Sequence, residues 1–136
     1  MAYGYQDDSF DVDEVRGQRL AGLLVFMDDD APQKLLGVLE NGQRFHFYLW
    51  AFIGFWSELD EEGYEDVLSD YEDCIALDYA AKHDLTGLEI KEATCRKTSK
   101  GTCISVRFRS GLLRLTEVDP TDPHSDSSIE FVRKTA

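Results

Sequence analysis

The 136-residue sequence predicts an α+β domain in which two antiparallel β-meanders flank a central acidic helical segment. Three observations predict it. Short runs of alternating apolar and polar residues, separated by glycine-bearing turns, fill both ends of the chain, while a stretch near the middle takes on helical spacing. Aromatic residues make up 12% of the chain and apolar residues 43%, enough large side chains for one buried core. A chain of this length fits one domain, since single cores run to roughly 100–150 residues before they divide.

Residues 1–14 carry five acids (Asp7, Asp8, Asp11, Asp13 and Glu14) and no basic residue, and are expected to be a flexible acidic arm, with the domain covering 15–136. From Arg19 the run RLAGLLVF has strand content, and residues 28–32, DDDAP, supply a turn. The next strand, KLLGVLE, runs into Asn41-Gly42, a dipeptide that tolerates the positive φ angles of a type I′ turn and marks a hairpin. Beyond it Phe45, Phe47 and Leu49 alternate with Arg44, His46 and Tyr48, as in a strand with one buried face.

The period then changes. Phe52, Phe55, Trp56 and Leu59 form a short helical stripe, and Tyr64, Val67, Leu68, Tyr71 and Ile75 form a longer one. Ser57 with Asp60 is placed to cap a helix start, Gly63 to separate the two stripes, and Lys82 with His83 to complement a helix C-terminus. Ile75, Leu77 and Tyr79 also fit the period of a strand, so residues 74–80 read either way. The remainder is strand and turn: TGLEIKEATCR and TCISVRFR flank KTSKG, Ser110-Gly111 turns into LLRLTEV, and a polar loop, DPTDPHSDSS, precedes SIEFVRK.

The two halves echo each other weakly. Residues 16–20 correspond to 86–90 at an offset of 70, and Asn41-Gly42 to Ser110-Gly111 at 69, each half making a three-stranded meander. The echo reads either as a duplication or as the recurrence of glycine turns in a β-rich chain.

Fourteen basic against 27 acidic residues give a net charge of −13, which repels phosphate and anionic lipid and argues against direct nucleic-acid or membrane partners. No apolar run approaches the roughly 18–20 residues of a spanning helix, and the start lacks a basic and apolar leader, so the expected location is cytoplasmic. Cys74, Cys95 and Cys103 are odd in number and lack CxxC spacing, reading as reduced structural thiols; a Cys95–Cys103 bridge across a hairpin is the alternative.

Between Arg44 and Lys82 there is no Lys or Arg, whereas Glu58, Asp60, Glu61, Glu62, Glu65, Asp66, Asp70, Glu72, Asp73 and Asp78 supply ten negative charges. Like charges one turn apart on a helix cost a few tenths of a kcal/mol per pair, a cost that nearby lysines would have relieved. The run reads either as a solvated face or as a surface for a cationic protein. Tyr64, Tyr71 and Tyr79, with Trp50 and Trp56, read as interface anchors or as core. The expected partner contacts are Asp60, Glu61, Glu62, Tyr64, Glu65, Asp66, Asp70, Glu72 and Asp73.

Signals of catalysis are absent: no GxSxG, phosphate-binding glycine loop, GxGxxG or HExxH occurs, and His46, His83 and His124 are far apart, His46 being expected on an exposed strand face. Asp119, Asp122, His124 and Asp126 share a loop but lack EF-hand spacing. No catalytic residue, metal or cofactor is therefore expected. A small ligand-binding domain or enzyme with an aromatic pocket near Trp50, Phe52 and Trp56 is the reading from another class.

In size, acidity and meander-helix-meander pattern, the chain resembles the immunity proteins with which bacteria neutralise their own secreted toxins. The resemblance implies tight binding to a cognate toxin domain, often a basic nuclease, whose active site or substrate surface is covered. A nucleic-acid mimic that inhibits a DNA-binding complex would use the same carboxylates.

Overall fold

The computed structural model describes residues 3–134. In chain order the elements are β1 (Gly4–Asp7), β2 (Phe10–Asp11), a 3-10 turn (Asp13–Val15), β3 (Leu20–Asp28), β4 (Ala31–Leu39), β5 (Arg44–Trp50) and β6 (Ile53–Leu59). They continue with α1 (Glu61–Asp70), β7 (Ile75–Asp78), α2 (Tyr79–Lys82), β8 (Ile90–Thr98), β9 (Gly101–Phe108), β10 (Gly111–Glu117) and β11 (Ser127–Arg133). The chain is mostly antiparallel β: one six-stranded sheet in the order β1-β6-β5-β4-β3-β7 and one five-stranded sheet in the order β11-β10-β9-β8-β2.

Alternation explains how the sheets meet. Phe45, Phe47 and Leu49 of β5 and Leu113 and Leu115 of β10 point inward and are buried, with Leu35, Ile104 and Val106 between them. Trp56 lies at the centre, fully buried, its ring stacked 4.4 Å from Phe47 and 4.8 Å from Phe45. Each such side chain contributes about 1.5–3 kcal/mol by leaving water. The void among Leu20, Phe45, Ile90 and Leu113 is about 10 Å³, about the least that can hold one water, so the interior is filled.

Several expectations are corrected. Residues 1–14 were expected as a flexible arm, of which 1 and 2 lie outside the described residues; the rest pairs instead: β1 lies against β6 with Tyr5 opposite Trp56, β2 lies against β8, and the Val12 N–H donates to the Ala93 carbonyl at 2.9 Å. Tyr3, Tyr5, Phe10 and Val12 of this segment, with Val15 after it, all pack on the core. The short helical stripe at residues 52–59 is the strand β6, in which Gly54 and Trp56 face inward. The turn entering it uses Ala51 (φ 52°) and Phe52 (φ 66°), left-handed positions that glycine or asparagine normally fills and that sequence alone does not flag. Distant groups hold it: the Thr102 hydroxyl donates to the Phe52 carbonyl at 2.8 Å and the Ala51 N–H to the Pro123 carbonyl at 3.1 Å.

Asn41-Gly42 does make a hairpin, but of another kind. Only Gly42 of the pair has positive φ (92°); its N–H donates to the Leu39 carbonyl at 2.9 Å while the Leu39 N–H donates to Gln43 at 2.8 Å, a type I turn closed by a glycine bulge. Gly63 lies inside α1 rather than between two helices. Of the two readings at residues 74–80, the strand forms at Ile75–Asp78 and pairs with β3, followed by the short α2. Cys95 sits opposite Ile104, and Cys103 opposite Arg96; neighbours on β9 face opposite sides, so Cys95 is interior, Cys103 lies on the outer face, and no bridge joins them.

The halves share geometry. Strands β3 and β8 start 70 residues apart, span nine residues each, and carry a bulge at the same place, between Leu20 and Gly22 and between Ile90 and Glu92. Gly17 (φ 83°) and Gly87 (φ 84°) precede them. The Gly17 N–H donates to Ile90 and the Gly87 N–H to Leu20, while Leu20 donates to Leu88 and Ile90 to Gln18, so each half closes the other. Each meander has four strands, β3 to β6 and β8 to β11, where three were expected.

Candidate acidic interface

Helix α1 lies on the outer face of the six-stranded sheet. Val67 is buried against Phe26 and Leu36, and Leu59, Tyr64, Leu68 and Tyr71 complete the seam. Asp60 starts the helix, its carboxylate accepting from the Gly63 N–H at 2.7 Å, as an N-cap should. Glu61 and Glu62 follow in the first turn, where the helix dipole favours negative charge.

The other end is different. Asp70 ends the helix, where the dipole disfavours it, and the last turn holds no basic residue. Asp60, Glu61, Glu62, Glu65, Asp66, Asp70, Glu72 and Asp73 are all exposed, and none is in an ion pair among the described residues. Glu58 is partly buried and takes a hydrogen bond from Gln43 at 3.2 Å. Two cations of the six-stranded sheet stack on rings at the helix: Arg44 over Tyr64 at 4.5 Å, and Lys34 over Tyr48 at 4.7 Å and Tyr71 at 5.1 Å. Burial lowers the Lys34 pKa, partly offset by Asp70.

Eight of the nine residues expected as contacts thus share one exposed surface. Tyr64 does not join them, because its ring is turned down into the seam under Arg44. Sequence reasoning missed two contributors. Pairing of Met27 with Ile75 brings the exposed Asp28, Asp29 and Asp30 turn beside Glu72 and Asp73, and Ile75 itself is 64% exposed next to them. Only a long-range strand pairing reveals that neighbourhood.

His46 is half-buried beneath α1, not exposed as expected. Its Nδ1 has no partner, and burial, aided by the nearby Lys34 charge, lowers its pKa to about 4.

Trp56 is in the core whereas Trp50 is 57% exposed, so the two do not line one pocket; the cavity of about 270 Å³ beside Trp50 is lined instead by Tyr48, Tyr71 and His124, without Phe52 or Trp56. In the 119–126 loop, the Asp119 carboxylate accepts from the Thr121 hydroxyl at 2.7 Å and backbone at 2.9 Å, which lowers its pKa, and Asp122 accepts from the His124 N–H at 2.9 Å. Both are spent on turn geometry, and among the described residues no three His, Cys, Asp or Glu side chains converge as metal ligands would. A concavity of about 810 Å³ on the five-stranded sheet is lined by Cys103, Lys100, Arg114, Glu117 and Glu130.

What these features define is a class: an antiparallel two-sheet protein with one acidic helix laid on an outer face. Comparison with protein-family models, with curated proteins and with solved structures finds no match to this chain.

Proposed function

We propose that this chain is a non-catalytic binding protein that engages a cationic protein through α1 and the turns beside it. The reading extends to the activity of an immunity protein, in which the partner is a basic toxin domain, such as a nuclease, covered by the acidic face. One observation carries it: eight exposed carboxylates on and around α1 lack ion-pair partners among the described residues, although Asp70 lies at the helix end where negative charge is unfavourable. Such a field steers a cationic surface into encounter and fixes its orientation, and Ile75 replaces Tyr64 as the apolar anchor in this reading.

Free thiols, with Cys95 held in the interior, support a reducing compartment such as the cytoplasm, and no described helix is long and apolar enough to cross a membrane. The reciprocal hydrogen bonds at an offset of 70 support a duplicated ancestral meander.

The test is affinity capture from source lysate at low and high salt, using the native chain and a variant with the 60–73 carboxylates changed to Asn and Gln. Specific, salt-sensitive capture that the folded variant loses supports the proposal. Equal capture by both proteins sinks it.

A further inference from the structure

Charge is divided unevenly in this molecule. Residues 1–89 hold 21 of the 27 acids but only five of the 14 cations, so the segment after them is the basic part of an acidic protein. There, at the end of the five-stranded sheet, lies an open groove of about 420 Å³. Lys91, Arg107, Arg109, Arg133 and Lys134 rim it, Leu112 and Val132 supply apolar surface, and no acidic side chain lines it. Val132 is 42% exposed; Lys91 is paired with Glu89 at 3.1 Å, Arg107 with Glu92 at 3.2 Å and Arg133 with Asp84 at 3.9 Å, whereas Arg109 and Lys134 form no ion pair among the described residues.

Strand register says what the opposite sheet does with the matching place. The cross-strand row Glu92, Arg107, Leu112 and Val132 corresponds to Gly22, Val38, Arg44 and Leu59, pair for pair. On that sheet the row is covered by α1: Tyr64 lies under the Arg44 guanidinium, and Leu59 packs in the helix seam beside Gly63. Among the described residues there is one such helix and there are two such rows. Short connections, Asp60 on one side and residues 71–74 on the other, tether α1 to its own sheet.

We propose that the groove is a docking site for an acidic amphipathic helix of a partner protein, one that lays an apolar or aromatic stripe on Leu112 and Val132 and sets carboxylates against Arg109 and Lys134. This surface is distinct from the acidic face, so the two binding functions stand or fall separately. Charge complementarity selects the occupant, and the way α1 covers the equivalent row supplies its shape.

The probe is a synthetic peptide of residues 59–73, titrated into the full-length protein with methyl and backbone NMR as the readout. Saturable shifts centred on Leu112 and Val132 are expected. Affinity should fall on raising salt, and by about tenfold or more in Arg109→Glu/Lys134→Glu, whose exposed positions leave the fold intact. The same peptide in scrambled order, or inorganic phosphate, should neither match nor displace it. Equal binding by the scrambled peptide, or displacement by phosphate, would make the groove a general anion trap and overturn the proposal. Shifts at Phe26, Leu36 and Val67 would place the peptide on the seat of α1 and overturn it too, as would absence of binding. Concentration-dependent self-association that shifts the same methyls without peptide would name a second copy as the occupant instead.

Discussion

Gly54 shows how closely the two sheets approach. A Cβ at this position would lie 2.5 Å from the Cys95 sulfur and 3.3 Å from Ile104, both buried in the facing sheet with nowhere to retreat. Gly54→Ala should therefore cost ~1–3 kcal/mol by overpacking, and Gly54→Ala/Cys95→Ala should cost less than the two single changes together, as measured by chemical denaturation. Strict additivity would show that the contact is not felt. Burial pushes the Cys95 thiol up to about 12, consistent with a packing role rather than a reactive one. His46 gives a second prediction. Its folded-state pKa of about 4 lies below the ordinary 6.5, so the unfolded chain binds more protons between those values. The stability linked to His46 is complete above about pH 6.5 and is lost as pH falls toward 4. Denaturation midpoints from pH 7.5 to 4.5 should drop more for the native chain than for His46→Leu, and parallel curves would refute this assignment.

At the scale of elements, the carboxylates of α1 have opposite effects. Removing the cap with Asp60→Ala should destabilise by ~0.5–2 kcal/mol. Relieving repulsion with Asp66→Gln, a position flanked by Glu62 and Asp70 one turn away on either side, should stabilise by ~0.4–1 kcal/mol while weakening capture of a cationic partner, a trade expected where a charge serves binding more than folding. Thermal melts of both variants check the two signs. These elements also mark what was legible in the sequence. Alternation in Phe45, Phe47 and Leu49, the turn at Ser110-Gly111 and the helical spacing of Tyr64, Val67 and Leu68 are local signals, and each element they foretold is present. β6 was misread because the Ala51-Phe52 turn has no glycine and depends on Thr102 and Pro123, far away in sequence. The pairing of residues 4–11 was missed for a similar reason, since the partners of β1 and β2 lie in β6 and β8. Of the candidate site, the exposed acids were legible; the inward turn of Tyr64 and the arrival of Asp28, Asp29 and Asp30 were not, because sheet register decides both.

Across the whole molecule, a net charge of −13 with its acids concentrated before residue 90 means that folding gathers like charges. Screening should relieve that repulsion. Raising sodium chloride from about 0.02 to 0.5 M shortens the Debye length from roughly 20 Å to 4 Å, and the melting temperature should rise. The rise should shrink in the variant with the 60–73 carboxylates neutralised; equal salt responses would mean that the acidic face does not strain the fold.

The reciprocal ties between residues 17–20 and 87–90 reach further than local geometry. Strand β2 from the front of the chain completes one sheet, and β7, after the midpoint, completes the other. Each half is thus a buckle fastened through its counterpart. A protease nick at residues 71–74 should therefore leave two pieces that migrate together until denatured, and neither piece made alone would find its missing edge.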